Sequence, residues 1–271
     1  MQTSTRVALV TGASSGIGRA TALAFVDAGF AVVGTSRNAA NVGPLAGVTF
    51  LDLDLASDES VHSLVDEVLD RFGRIDVLVN NAGVGAVGAA EESSIKQTKD
   101  VFDINVFGLM RITNAVLPHM RTQGSGRVVN VSSVLGLIPA PFMATYAATK
   151  HAVEGYSESV DHELREHGVR VLLVEPAFTR TSFEASSLAA DSPLPVYAAQ
   201  RKITRDVQAA AMRTADDPEV VAKVIVAAAT DPKPTLRYAA GSMAARVNLL
   251  RRFVPSPVFD KQIRKLNRLA G

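Results

Sequence analysis

The chain has no cysteine and no tryptophan, and only 6% of its residues are aromatic. Without cysteine there is no disulfide framework, no thiolate nucleophile and no Cys-ligated zinc or iron–sulfur centre. Such a chain fits a reducing compartment, so a cytoplasmic protein is expected. Charge of one sign is lacking too: 28 basic against 27 acidic side chains leave a net charge of +1. A surface devoted to nucleic acid would be strongly basic, so no nucleic-acid partner is expected. Also missing is a clean hydrophobic run of membrane-spanning length. Val128 to Thr149 is uncharged, but Asn130, Ser132, Ser133, Pro139 and Pro141 interrupt it. The N-terminal MQTSTRVALVTGASS holds four apolar residues before Thr-Gly, too few for a signal-peptide core, and is read as a mature intracellular start.

What remains is ample apolar content, 47% of 271 residues. That is enough to bury about 75% of the unfolded chain's surface and excludes global disorder. Short β-branched runs alternate with helical patterns. The strand candidates are Val7–Val10, Ala31–Gly34, Thr49–Leu53, Val77–Val79, Val128–Val131, Val169–Val174 and Leu236–Ala240. Helices are expected over Gly18–Ala28, Ser57–Phe72 and Pro218–Ala229; in the second, Val61, Leu64, Val65, Val68 and Leu69 recur at helical spacing. This order predicts an α/β fold: a Rossmann-type doubly wound parallel sheet of about seven strands with helices on both faces. No repeat or linker divides residues 1–271, so a single domain is expected.

In such sheets ligands bind beyond the carboxyl ends of the strands. Small and polar residues gather at those ends: Thr11-Gly12, Thr35-Ser36-Arg37, Asp54-Leu55, Asn80-Asn81-Ala82-Gly83, Ser132-Ser133 and Pro176-Ala177-Phe178-Thr179. After the first strand, Gly12, Ser14, Ser15, Gly16, Ile17 and Gly18 form a Gly-x3-Gly-x-Gly loop opening a helix. Glycine lets backbone approach a pyrophosphate, and the helix N-terminus offers free N–H groups. The alternative is a tight turn whose glycines serve helix–strand packing.

Together, Thr-Gly-x3-Gly-Ile-Gly, Asn-Asn-Ala-Gly, a serine thirteen residues before a tyrosine, and Tyr-x3-Lys resemble the short-chain dehydrogenase/reductase family from about Arg6 to Thr181. The resemblance implies a nicotinamide dinucleotide, with Asp54 and Leu55 flanking its adenine and Asn81, Ala82 and Gly83 against its ribose. Asn80-Asn81 also reads as a polar clamp across the sheet. The second strand ends in Ser36-Arg37 where an acidic residue would repel a 2′-phosphate, so NADP(H) is favoured over NAD(H).

Tyr146 and Lys150, four apart, share a helix face. A neighbouring ammonium stabilises a phenolate, so Tyr146 is read as the acid/base and Lys150 as its partner and a holder of the nicotinamide ribose. Ser133, at a strand tip, is placed to bond the reacting oxygen. The resemblance makes Asn105 a fourth catalytic residue holding a water beside Lys150; the alternative is an asparagine bonding backbone at a helix kink. It also makes Pro176, Thr179 and Thr181 part of the carboxamide site, with Ala177 standing where the family has glycine. An enoyl reductase would carry tyrosine at Met143, so carbonyl chemistry is favoured.

His162 and His167 are five apart and diverge around a helix, so no metal is expected. A long segment, about 182–217, reads as a substrate lid. Phe183, Leu188, Leu194, Pro195, Val196 and Tyr197 would wall an apolar pocket opposite Leu137, Ile138, Pro139, Pro141 and Phe142, which favours a lipophilic steroid-, retinoid- or fatty-like carbonyl compound. The alternative is that these side chains only pack the loop down. From Lys233 on, nine basic residues face one acidic. This C-terminal extension, about 241–271, is expected to close the pocket or cover a subunit interface, with contact to an anionic membrane surface as the other reading. The expected protein is a reductase of carbonyls and dehydrogenase of secondary alcohols. Its rivals are a dinucleotide-sensing or scaffold protein without turnover and a peripheral membrane-associated reductase. The family resemblance implies a homodimer or homotetramer.

Overall fold

The computed structural model describes residues 5–269; the ends of the expected domain, 1–4 and 270–271, lie outside them. Nine strands are described: β1 (Val7–Val10), β2 (Ala31–Ser36), β3 (Val48–Asp52), β4 (Val77–Asn80), β5 (Ala86–Val87), β6 (Gly126–Val131), β7 (Val169–Pro176), β8 (Leu188–Ala189) and β9 (Arg237–Ala240). Seven form a parallel sheet in the order β3-β2-β1-β4-β6-β7-β9, while β5 and β8 pair separately. The small second sheet is not marked by any strand-like run in the sequence. β2 continues to Ser36 because Thr35 and Ser36 pair with Leu51 and Asp52 of β3. β7 continues to Pro176 because Glu175 and Pro176 pair with Ala239 and Ala240.

Alternate residues of each strand enter two cores. Val7 and Leu9 of β1 pack on one face with Val61, Leu64, Val65 and Val68 of α2 (Asp58–Phe72), Ile112 and Val116 of α4 (Leu109–Gln123), and Leu164 of α5 (Ala144–Leu164). Ala8 and Val10 pack on the other with Ala22 and Phe25 of α1 (Gly16–Asp27) and Val221 and Ile225 of α7 (Pro218–Thr230). Each such aliphatic side chain contributes about 1.5–3 kcal/mol relative to exposure. The fold is therefore a Rossmann-type α/β sheet with helices on both faces.

Local signals set the helix ends. Ser57 caps α2 by accepting from Ser60 N at 3.1 Å, and Gly73 ends the helix with φ 73°. Helix α3 (Ile95–Phe102) runs through a π-helical turn at Asp103–Gly108 into α4. The remaining helices are α6 (Ala198–Met212), α8 (Ser242–Phe253) and α9 (Ser256–Leu266). Among the described residues no helix is long and apolar enough to cross a membrane.

Candidate active site

The sheet order reverses between β1 and β4, and a cavity of about 470 Å³ opens along that carboxyl edge. The segments following β1, β2, β3, β4, β6 and β7 all line it. Thr11 binds the two central strand ends together. Its Oγ1 accepts from the backbone N of Asn81 and of Ala82, both at 3.0 Å, and Asn81 Nδ2 donates to Thr11 O at 2.9 Å. This buried threonine, which the sequence marks as a polar strand end, is a structural member of the site: it ties β1 to the segment after β4.

Gly12, Ser14, Ser15, Gly16 and Ile17 line the cavity. Gly16 has φ 51°, and a Cβ there would stand 3.0 Å from Thr181 Cγ2. Ser15 caps α1 without a side-chain hydrogen bond, and the first turn of α1 carries no acidic residue. An anion-sized group thus meets backbone N–H donors and a positive helix end, so the residues present fit a dinucleotide's phosphates. Gly18 differs from its expected role. It is buried and does not line the cavity, and its Cβ would fall 2.2 Å from Gly12 O and 2.5 Å from Asn81 Nδ2. The close packing of α1 on the loop is by itself enough to require glycine there.

At the far end Ser36, Arg37, Asp54 and Leu55 line the cavity, as do Asn81, Ala82 and Gly83 nearer its centre. Arg37 is exposed and makes no ion pair among the described residues. Besides Asp54, a second acidic residue lies near: Asp52, opposite Ser36 in β3. Its carboxylate accepts from Ala39 N at 2.6 Å and does not line the cavity. Asn80 is the clamp alone, donating to Thr113 Oγ1 at 3.0 Å and Asn130 Oδ1 at 2.8 Å without lining the cavity.

Ser133 follows β6, while Tyr146 and Lys150 project from the first turns of α5; all three line the cavity. Lys150 Nζ lies 5.7 Å from the Tyr146 ring centroid and donates to Val131 O at 2.8 Å. The expected lowering of the phenol by the ammonium is not what dominates. Burial pushes Tyr146 above its ordinary value, a hydrogen bond with Ser133 acting against it. Burial also lowers Lys150 to about 8, against the pull of Glu154. Both groups are desolvated together, and each shifts toward its neutral form.

Asn105 is buried in the π-helical turn and does not line the cavity. Its Oδ1 accepts from Val84 N at 2.8 Å, and its Nδ2 donates to Val84 O at 2.9 Å and Thr149 Oγ1 at 3.2 Å. These bonds to backbone at the helix kink match the alternative reading and are compatible with the catalytic one. Pro176, Thr179 and Thr181 line the cavity beside Ala177. The positive-φ non-glycine residues described are Phe142 and Arg268, so Ala177 needs none of glycine's freedom.

A partly buried ionic cluster beside Lys150 has no local sequence signature. The Arg237 guanidinium of β9 bonds Glu154, Glu175 at 2.5 Å and Glu158 at 2.6 Å. Asn248 of α8 donates to the second oxygen of Glu175 at 2.5 Å. Burial, reinforced by the charge of Glu175 and opposed by Arg237, pushes Glu154 up to about 7.

The expected pocket wall is largely corrected. Of its members only Phe183 lines the cavity, its ring 5.6 Å from that of Tyr146. The pairing of β8 with β5 turns the lid outward, leaving Leu188 40% and Val196 78% exposed. Fully buried Glu92 pins Leu194 N at 2.7 Å and Arg201. Leu137 to Phe142 also turn away: Arg251 donates to Leu137 O at 3.1 Å, and Phe142 packs edge-on to Tyr197. Residues not anticipated, Val87, Val134, Leu135, Glu184 and Gln208, line the cavity instead, with Met143 beside them.

Comparison with known proteins agrees with this geometry. The family model described as short chain dehydrogenase matches residues 6–192. A solved short-chain dehydrogenase from Streptomyces avermitilis is 37% identical, with TM-score 0.83 over 99% of each chain. Retinol dehydrogenase 8 of Bos taurus is 36% identical, over 93% of this chain and 86% of its own. A solved Burkholderia phymatum relative in complex with NAD is 29% identical, TM-score 0.78, covering 93% and 95% of the two chains. A metagenomic short-chain oxidoreductase in complex with NADP is 28% identical, TM-score 0.69, covering 86% and 96%. By the match over most of its length, and with a glycine loop, sheet order and Tyr-x3-Lys helix that agree with it, the chain belongs to the short-chain dehydrogenase/reductase family of oxidoreductases.

Proposed function

We propose that the protein transfers a hydride between NADP(H) and a carbonyl or secondary-alcohol carbon of a lipophilic small molecule, with Tyr146 as general acid and base. The observation that carries this is that Ser133, Tyr146 and Lys150 line the same cavity as the glycine loop. Arg37, exposed on the cavity wall and in no ion pair among the described residues, supports the choice of NADP(H) over NAD(H), because a guanidinium pairs well with a phosphate. Gly12, Ser14, Ser15, Gly16 and Ile17 would hold the phosphates, Asp54 and Leu55 the adenine end, and Pro176, Thr179 and Thr181 the nicotinamide end. A bound dinucleotide would supply or accept the hydride.

The residues of this chain do the rest. In reduction the Tyr146 hydroxyl gives its proton to the carbonyl oxygen, and burial keeps that hydroxyl protonated at neutral pH. Ser133, which lines the cavity with the phenol, is placed to donate to the developing alkoxide. Lys150, charged below about 8, favours the phenolate left behind. Oxidation reverses these roles, with the phenolate as base. Val87, Val134, Leu135, Met143 and Phe183 give the substrate end an apolar wall, and the name of the cattle relative also points to a lipophilic alcohol. Residues 1–271 would act as one catalytic domain, in the cytoplasm, as a homodimer or homotetramer.

A panel of ketones, aldehydes and polyols, followed by the absorbance of reduced dinucleotide, tests the reading. NADPH should be consumed with apolar ketones or aldehydes, with kcat/KM rising as the apolar part lengthens. Turnover with polyols alone, or none with any carbonyl, overturns it.

A further inference from the structure

The chemistry above uses almost nothing of the C-terminal extension, yet side chains of α8 reach back to the fold. Ala244, Asn248 and Arg251, at positions i, i+4 and i+7, face the fold. Ala244 is buried, Asn248 bonds Glu175, and Arg251 Nε donates to Leu137 O at 3.1 Å. That contact fixes which side of α8 looks outward. Met243, Arg246, Leu250 and Phe253 recur at i, i+3, i+7 and i+10 on the opposite face, with Leu249 beside them. Leu249 is 60% and Phe253 69% exposed. In α9, Phe259 and Ile263 are half-buried, whereas Val258 and Leu266 are exposed.

Of the twelve exposed large hydrophobic side chains described, six fall between Met243 and Leu266. Singly exposed apolar residues are ordinary, but Met243, Leu249, Leu250 and Phe253 share one face of α8, and such a stripe marks a surface that takes a partner. The partner's charge is also legible. Seven basic residues and one acidic lie beyond Gly241, interleaved with the apolar ones. A second copy joined by two-fold symmetry would set these cations against themselves. A nucleic acid would answer the charges and leave Leu249, Leu250 and Phe253 in water. An anionic lipid surface satisfies both, with apolar tips in the acyl boundary and long basic side chains at the phosphates.

We propose that the outer face of α8 and α9 docks on the headgroup region of an anionic phospholipid bilayer. The position suits the site. Arg251 holds the segment that follows Ser133, and Gln200 Nε2 of α6 donates to Asn267 O at 3.2 Å. Helix α6 in turn carries Gln208 to the cavity. The helices that carry the docked face are thus bonded, from their inner side, to two segments that supply Val134, Leu135 and Gln208 to the cavity, so a lipophilic substrate would reach the cavity from the membrane; that last clause alone rests on the proposed function.

The test is co-sedimentation of the full chain with vesicles of phosphatidylcholine alone and of phosphatidylcholine containing phosphatidylglycerol. Binding to the anionic vesicles should be at least about tenfold stronger and should weaken with salt. The double variant Leu249→Asp/Phe253→Asp should lose it while keeping the wild-type melting temperature and turnover of a soluble ketone. Arg246→Glu/Arg252→Glu, which leaves the apolar stripe intact, should lose it too. Equal binding to both vesicles, or none to either, overturns the proposal. So does light scattering in which the aspartate variant turns a dimer into a monomer while no vesicle binds. Vesicle binding is read without turnover, so its failure and that of the reductase reading are separate results.

Discussion

Replacing Gly18 with alanine sets two opposed effects against each other within α1. Alanine is the better helix former, by up to about 1 kcal/mol, so a glycine with room around it would be improved by the change. Gly18 has no room: the added Cβ would meet Gly12 O at 2.2 Å and Asn81 Nδ2 at 2.5 Å. One of these is backbone and the other is already committed, since Asn81 Nδ2 donates to Thr11 O at 2.9 Å and Gly12 O at 3.3 Å. Relieving the overlap means strain of about 1–3 kcal/mol. It also displaces an asparagine whose hydrogen bonds contribute about 0.5–1.5 kcal/mol each. The net expectation is a loss of about 2 kcal/mol, or roughly 4–8 °C in Tm for a chain of this size. Because the same shift moves the loop between β1 and α1, dinucleotide affinity should fall with it. Thermal melts and fluorescence titration of NADPH read the two quantities. A variant that gains stability and binds NADPH as the parent does would refute the packing argument.

Arg37→Asp should reverse the NADPH-over-NADH preference in kcat/KM, because a carboxylate repels the 2′-phosphate that a guanidinium attracts; an unchanged ratio removes Arg37 from the site. Glu154 predicts a stability slope. Its carboxyl is raised from 4.5 to about 7, so the folded state holds a proton that the unfolded state has already lost. Its contribution is complete below about pH 4.5 and disappears as pH rises to about 7, at most about 3 kcal/mol. Urea unfolding across that interval should show the decline in the parent and a flatter profile in Glu154→Gln; identical slopes would contradict the shift.

Legibility followed the distance over which each feature is encoded. Tyr146 and Lys150 were readable because a spacing of four is adjacency on one helix face, and Ser133 because a strand tip at this sheet edge faces the ligand cleft. The capping of α2 by Ser57 and its apolar face were equally local. Features set by register between elements were not readable. Asp52 stands opposite Ser36 only once β2 pairs with β3, and Arg237 meets Glu175 only once β9 pairs with β7. Asn105 reaches Val84 from a π-helical turn, whose extra residue per turn has no signature in the local pattern. The pocket wall failed for a related reason. Apolarity in 137–142 and 188–197 said that these residues prefer contact with one another or with the fold, not which of them faces the cavity, and the pairing of β5 with β8 decided that.

Tyr146→Phe tests the central claim most directly, since it removes one oxygen and leaves the buried ring against Phe183 in place. NADPH binding should stay within about twofold of the parent, while ketone reduction should fall by at least the 10²-fold ascribed to a positioned acid. Retained turnover in the phenylalanine variant, with binding also retained, would contradict it.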